Sequence, residues 1–172
     1  MGKGLEHILT RKKAVIARKW FDLASQTYAS DTADFLKNNT DPFANPVGAA
    51  MHNGIEGLLD QLLTSMDPDT ITTYLDPIIR IRAVQNFTPS RATAFILLLK
   101  IVIRDILDKE FDNSGIHADF LVFESKIDQL CLMAFDIYMQ CREKVYQLSA
   151  DETRNRTFRA FERAGLVAEP LD

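Results

Sequence analysis

Groups able to carry out chemistry are scarce in this chain of 172 residues. It has two cysteines and three histidines, and no His-x-x-x-His, Glu-x-x-His or Cys-x-x-Cys occurs. A metal centre draws clustered ligands from helical or turn spacing, so neither a metal nor another cofactor is expected. Gly-x-Ser-x-Gly and glycine-rich phosphate loops are absent too, which removes the commonest nucleophile and nucleotide signatures. No strand-like alternation persists. The longest apolar run, Ala92 to Val102 with Lys100 inside it, is shorter than the roughly 20 residues a membrane span needs. Gly2 is followed by Glu6 where a myristoylation signal has Ser or Thr. Twenty basic side chains against twenty-four acidic ones give a net charge of -4, which speaks against a nucleic-acid binder. The first twenty residues are locally basic, with Lys3, Arg11, Lys12, Lys13, Arg18 and Lys19 against Glu6; a solvated helix face is the ordinary outcome of such a run. Cys131 and Cys141, placed on one helix, lie about 15 Å apart along its axis, beyond disulfide reach. Two unpaired thiols suit a reducing compartment, and a cytoplasmic protein is expected.

Helical periodicity fills the space left by these absences. Leu5, Ile8, Val15, Ile16, Trp20, Leu23 and Tyr28 make an apolar stripe on a first long helix, and Asp31 opens a short second one. "NNTDPFANPVG", residues 38 to 48, is the clearest loop. A third helix follows, with Ala50, Gly54 and Gly57 along its flank. Glycine inside a helix costs about 1 kcal/mol relative to alanine, so an unusually close neighbour is expected there. Asp67-Pro68 and Thr88-Pro89 each combine a side-chain cap with proline at the first helical position. Pro77 kinks or divides the helix it interrupts. The helix after Thr88 is apolar almost all round and therefore central, and Arg104 and Asp108 on its polar strip are spaced to pair. "FDNSGIHAD" breaks the chain. A long helix repeats Phe120, Phe123, Ile127, Leu130, Ala134, Ile137 and Cys141, its stripe widened by Leu132, Met133, Phe135 and Met139. Ser149 and Glu152 form a capping box, which predicts a last amphipathic helix from near Ala150. The expectation is an all-α, single-domain helical bundle of about six to eight helices, globin-like in pattern. Residues 1–148 make the domain, and 149–172 a C-terminal amphipathic helix and tail.

One stretch breaks the pattern. In "IIRIRAVQNFTPSRATAF", residues 78 to 95, Arg82 and Gln85 fall on the face occupied by Ile71, Tyr74, Leu75, Ile78 and Ile81, while Arg80 points away. A guanidinium on an apolar face must find partners. Carbonyls of the 38-to-48 loop, or exposed carbonyls at helix ends, are the natural acceptors. Either the group clasps a helix-helix corner, or Arg82, Gln85 and Arg91 face an anion or other small molecule. Haem is a third case to test: only His52 is expected mid-helix, where a proximal ligand would stand.

"DPFANPVG" (41 to 48) together with "IIRIRAVQNFTPSRATAFILLLK" (78 to 100), in order after the Trp20 helix, resembles the RsbRD-type N-terminal domain, the sensory half of RsbT co-antagonist proteins of the bacterial stressosome. The resemblance covers residues 8 to 148 and implies an all-α input module, similar to haem-less globin-like domains that dimerise and relay signals. Usually a STAS domain carrying the phosphorylated residues follows; after the long helix about two dozen residues remain, too few for another domain. A free-standing, non-enzymatic sensor domain is therefore expected, cytoplasmic and homodimeric, with a protein partner for its output and no nucleic-acid or membrane partner. A small-ligand binder with a pocket near Arg82 and a haem-binding globin-like protein are the alternatives. Asn45, Arg82, Gln85, Ser90 and Arg91 are the candidates for a ligand site or a structural clasp.

Overall fold

A computed structural model describes residues 3–39, 41–108 and 114–166. Seven helices occur among them: α1 (Lys3–Arg11), α2 (Lys13–Ser25), α3 (Ser30–Asn38), α4 (Pro46–Leu63), α5 (Pro68–Val84), α6 (Pro89–Leu107) and α7 (Ser114–Arg163). No strand occurs among the described residues, and the chain is an all-α single-domain bundle. Three helices begin by one device. Asn45, Asp67 and Thr88 each accept the backbone N–H three residues on, from Gly48, Thr70 and Arg91, and each precedes a proline at the first helical position. The cap satisfies a donor the helix cannot, and proline occupies the one place where its missing N–H costs nothing.

The helix expected to be central, α6, shares the centre of the packing with α5 and α7, which pack on each other as extensively as α6 packs on α7. α6 lies against α2, α5 and α7, and α4 packs on α5 and α2. Phe95, Ile96, Leu99, Val102, Ile103 and Leu107 are buried on it. Burying each such side chain stabilises the fold by about 1.5–3 kcal/mol. Trp20 of α2 stacks on Phe95 with ring centroids 6.3 Å apart. Its indole N–H donates to the Phe95 carbonyl oxygen at 2.7 Å, so the largest core side chain buries its polar atom satisfied. One strip of α6 stays uncovered, at Leu97 and Ile101.

Four local expectations are corrected. The first long helix is divided at Lys12, a turn residue whose ammonium donates to the Ile106 carbonyl at 3.3 Å; Leu9 is buried while Val15 is half-exposed. Pro77 does not divide its helix, since α5 runs unbroken through it. Ser149 starts no new helix: α7 runs through it, and the Ser149 carbonyl accepts from the Thr153 hydroxyl at 2.9 Å within the same helix. The capping-box pattern fails because the preceding turn is already helical, so Ser149 has no unpaired donor to cap. Arg104 does not pair with Asp108 but with Glu124 of α7, while Lys19 takes Asp105; cross-helix partners outcompeted the local spacing. Of the expected break at "FDNSGIHAD", residues 111–113 lie outside the described ones and 114–119 are already helical.

Two of the glycines of α4, Gly54 and Gly57, receive α5. A Cβ on Gly54 would stand 2.6 Å from Ile78 Cδ1 and 3.0 Å from the Tyr74 carbonyl oxygen, and one on Gly57 would overlap the Tyr74 ring. Another helix, not a ligand, is the close neighbour. Gly54→Ala should therefore destabilise by about 1–3 kcal/mol of overpacking, more than the gain of about 1 kcal/mol from helix propensity. A melting temperature at or above wild type would show that α5 yields freely.

Candidate functional site

The polar knot is built at the end of α5. The helix closes with Gln85 as C-cap and Asn86 in the left-handed region at φ 59°. The Phe87 N–H reaches back to the Arg82 carbonyl at 3.1 Å and the Asn86 N–H to that of Ala83 at 3.4 Å. This is a Schellman ending, with asparagine in the position that otherwise favours glycine. It turns the chain directly into the Thr88 cap of α6.

Arg82 sits on the last turn before that ending and is wholly buried. Its Nη2 donates to the Thr27 hydroxyl at 3.1 Å and the Ala24 carbonyl at 3.5 Å; its Nη1 donates to the carbonyls of Arg91 at 3.3 Å and Ala92 at 3.5 Å. The acceptors are thus helix-end groups of α2 and α6; the 38-to-48 loop supplies none. Three rings flank the cation, with Phe95, Tyr28 and Phe87 centroids at 4.5, 5.0 and 5.4 Å. No carboxylate pairs with it among the described residues. Among the described residues neither its Nε nor the Tyr28 hydroxyl makes a well-formed hydrogen bond, although guanidinium and phenol attract each other electrostatically. Burial pushes the guanidinium below arginine's ordinary value, opposed by the Tyr28 hydroxyl and reinforced by the like charge of Arg91. Burial likewise raises the Tyr28 phenol, against the pull of Arg82. What holds the charge in place is the carbonyl-rich end of α2, where the helix dipole is negative, and the faces of three rings.

An outer layer closes over the corner. Arg91 is exposed, stacks over Phe87 at 5.1 Å and donates to the Thr27 carbonyl at 3.4 Å. From α7 the Tyr138 hydroxyl donates to the Phe87 carbonyl, and Arg142 donates at 3.1 Å to both the Ala83 carbonyl and Asn86 Oδ1. Of the sequence candidates, Arg82 and Arg91 therefore come together. Gln85 is exposed at the cap instead of on the buried face, and Ser90 is exposed, its hydroxyl 3.3 Å from that of Thr88. Asn45 forms a separate lock. Buried, it donates through Nδ2 to the carbonyls of Asn39 at 2.7 Å and Leu36 at 3.1 Å while capping α4. Thr27 and Tyr28, which meet the Arg82 side chain, and Tyr138 and Arg142, which bond the backbone of another helix, are not among the sequence candidates, because nothing local in their sequence marks such long-range contacts.

Elsewhere the surface offers little chemistry. Among the described residues no group of three or more His, Cys, Asp or Glu could hold a metal ion. All three histidines are exposed, so none faces an apolar interior as a haem ligand must. His52 stands on the α4 surface near Glu56 and Phe21. Burial raises the thiols of Cys131 and Cys141, the direction opposite to nucleophile activation. A groove of about 880 Å³ between the end of α6 and the start of α7 is lined by Ile101, Arg104, Asp105, Phe120, Leu121 and Glu124. It is open, and the Arg104–Glu124 ion pair occupies part of its wall. No helix among the described residues is long and apolar enough to cross a membrane.

Compared with known protein families, residues 14–153 match the family described as RsbT co-antagonist protein rsbRD N-terminal domain. No curated protein and no solved structure matches the chain.

Arg82→Ala should lower the melting temperature by several degrees, since it opens a cavity among three rings and removes the hydrogen bonds that tie the end of α2 to the start of α6. Arg82→Lys should recover only part, because a point charge cannot reach the ends of α2 and α6 together. An alanine variant as stable as wild type would show that the knot holds nothing together.

Proposed function

The chain belongs to the RsbRD N-terminal domain family of RsbT co-antagonist proteins, and from that premise we propose that it is a non-enzymatic, stressosome-type signalling module that works through protein contacts. The family match carries this reading. Two features of the molecule support it. Two buried polar side chains, Arg82 and Asn45, hold helix ends together instead of facing a substrate-sized cavity. An uncovered apolar surface lies on two adjacent helices. Leu97 and Ile101 of α6 and Leu121, Leu132, Phe135 and Met139 of α7 are all exposed, and Ile101 and Leu121 line one groove. On α7 the spacings of 11, 3 and 4 residues from Leu121 through Leu132 and Phe135 to Met139 keep these side chains on one helical face. An exposed apolar patch of this kind marks an interaction site. We assign it to a second copy of the chain, giving a homodimer with the α6–α7 faces in contact.

A second reading, a small-ligand sensor, is favoured by one observation: among the described residues neither the buried Nε of Arg82 nor the nearby Tyr28 hydroxyl makes a well-formed hydrogen bond. Native mass spectrometry of freshly purified protein decides it, since a retained non-covalent mass lost in Arg82→Lys would favour the ligand over the clasp.

For the dimer, light scattering at micromolar concentration should give about twice the chain mass of 19.5 kDa. Leu132→Glu and Phe135→Glu, both on exposed positions, should shift the protein to monomer without loss of helicity. A wild-type monomer at every concentration, or dimers unaffected by either charge, would refute the assignment.

A further inference from the structure

The outer end of α7 and the outer face of α3 each carry charges that the fold leaves unpaired. On α3, Asp31 and Asp34 are exposed and Lys37 is half-buried; on α7, Glu152, Arg156 and Arg159 are exposed. None of the six forms an ion pair among the described residues. Their order matches. Asp31, Asp34 and Lys37 follow at intervals of three and cover about 9 Å of helix axis, while Glu152, Arg156 and Arg159 share one face over about 10.5 Å. With α7 laid antiparallel across α3, Arg159 stands opposite Asp31, Arg156 opposite Asp34 and Glu152 opposite Lys37. With the helices parallel, Glu152 would meet Asp31 and Arg159 would meet Lys37. The charges therefore select a direction as well as a surface.

The two surfaces do not meet within one molecule, because α7 is one continuous helix and every described side chain on it from residue 146 onward is exposed. We propose that the outer end of α7 docks antiparallel on α3 of a second copy of the chain, through the ion pairs Arg159–Asp31, Arg156–Asp34 and Glu152–Lys37. Both halves of the match belong to this chain, and Lys37, which would repel a uniformly basic partner, meets its acid in Glu152. Arg163 continues the stripe beyond Asp31. At the other end Leu148, exposed one turn before Glu152, comes to lie past the end of α3, where the connection bearing the 98% exposed Phe43 begins. The stripe lies about 130° around α7 from Leu132, Phe135 and Met139. This contact and the α6–α7 pairing therefore do not compete, and neither depends on the other. Exposed ion pairs are weak and screened by salt. The contact forms where copies are concentrated, above the micromolar range in which the α6–α7 pairing is measured.

The test places a photoreactive benzophenone side chain beside the stripe, Asn155→p-benzoylphenylalanine, in the full chain at about 0.2 mM and low ionic strength, where exposed ion pairs are least screened. Irradiation should join two copies, with the adduct mapping to α3 of the second. Thr72, exposed on α5, carries the same group as a control and should give no such adduct. Raising the salt to about 0.5 M should cut the yield about 10-fold. Arg156→Asp with Arg159→Asp on the benzophenone chain should abolish the adduct, and so should Asp31→Lys with Asp34→Lys. Mixing the two reversed proteins should restore it, which a loss of fold in either would prevent. A Leu132→Glu background, chosen to separate the α6–α7 pair, should leave the yield unchanged. No adduct above the control, an adduct on another surface, a mixture that restores nothing, or loss of the adduct with Leu132→Glu would each overturn the proposal.

Discussion

A permanent positive charge lies inside this bundle with no negative partner among the described residues, and the arrangement of three helices follows from having to accommodate it. Desolvating a guanidinium costs several kcal/mol even after relaxation. Arg82 recovers this from neutral acceptors: the last carbonyls of α2, the first of α6, one hydroxyl, and three ring faces worth about 0.5–2 kcal/mol each. Each of those contacts requires its helix to stand at one height and rotation. A leucine at this position would bury with less cost but would accept many arrangements of α2 against α6. The charge accepts few.

The same corner is also where α7 is fastened. Tyr138 and Arg142 bond the backbone of residues 83–87 from one side, while Arg82, Tyr28 and Arg91 enclose the Phe87 ring from the other. Asn86 makes this geometry available by adopting a backbone conformation that few side chains tolerate. Two glycines on α4 then let α5 approach closely enough for its buried face, including Arg82, to reach the centre. Small residues, a left-handed asparagine and a buried arginine are separate sequence features that serve one packing arrangement.

Helices, caps and the burial of Arg82 were legible because each depends on a short local pattern: apolar spacing, a capping side chain before proline, a charge on an apolar face. The family was legible from two motifs in order. What failed depended on distant partners. Gln85 lies one turn past Arg82 and shares its face only if the helix continues, but α5 is ending there. Asp108 loses Arg104 to Glu124, from a helix the local spacing could not anticipate. Asn45 and Arg82 were grouped as one candidate site although they bond different carbonyls, since sequence gives acceptor types and not their positions. The break at Lys12 carries no proline or glycine to announce it.

The continuity of α7 through Ser149 has a mechanical meaning. From Arg142 to Arg163 the helix advances about 30 Å at 1.5 Å per residue, and from residue 146 onward every described side chain is exposed. Its last hydrogen bonds to the body are those to the corner. A rod held at one end converts rotation at its base into displacement at its tip: a tilt of about 10° would carry the far end about 5 Å over that length. Small rearrangements around Phe87 are therefore magnified several-fold at the described end of α7, which extends beyond the core.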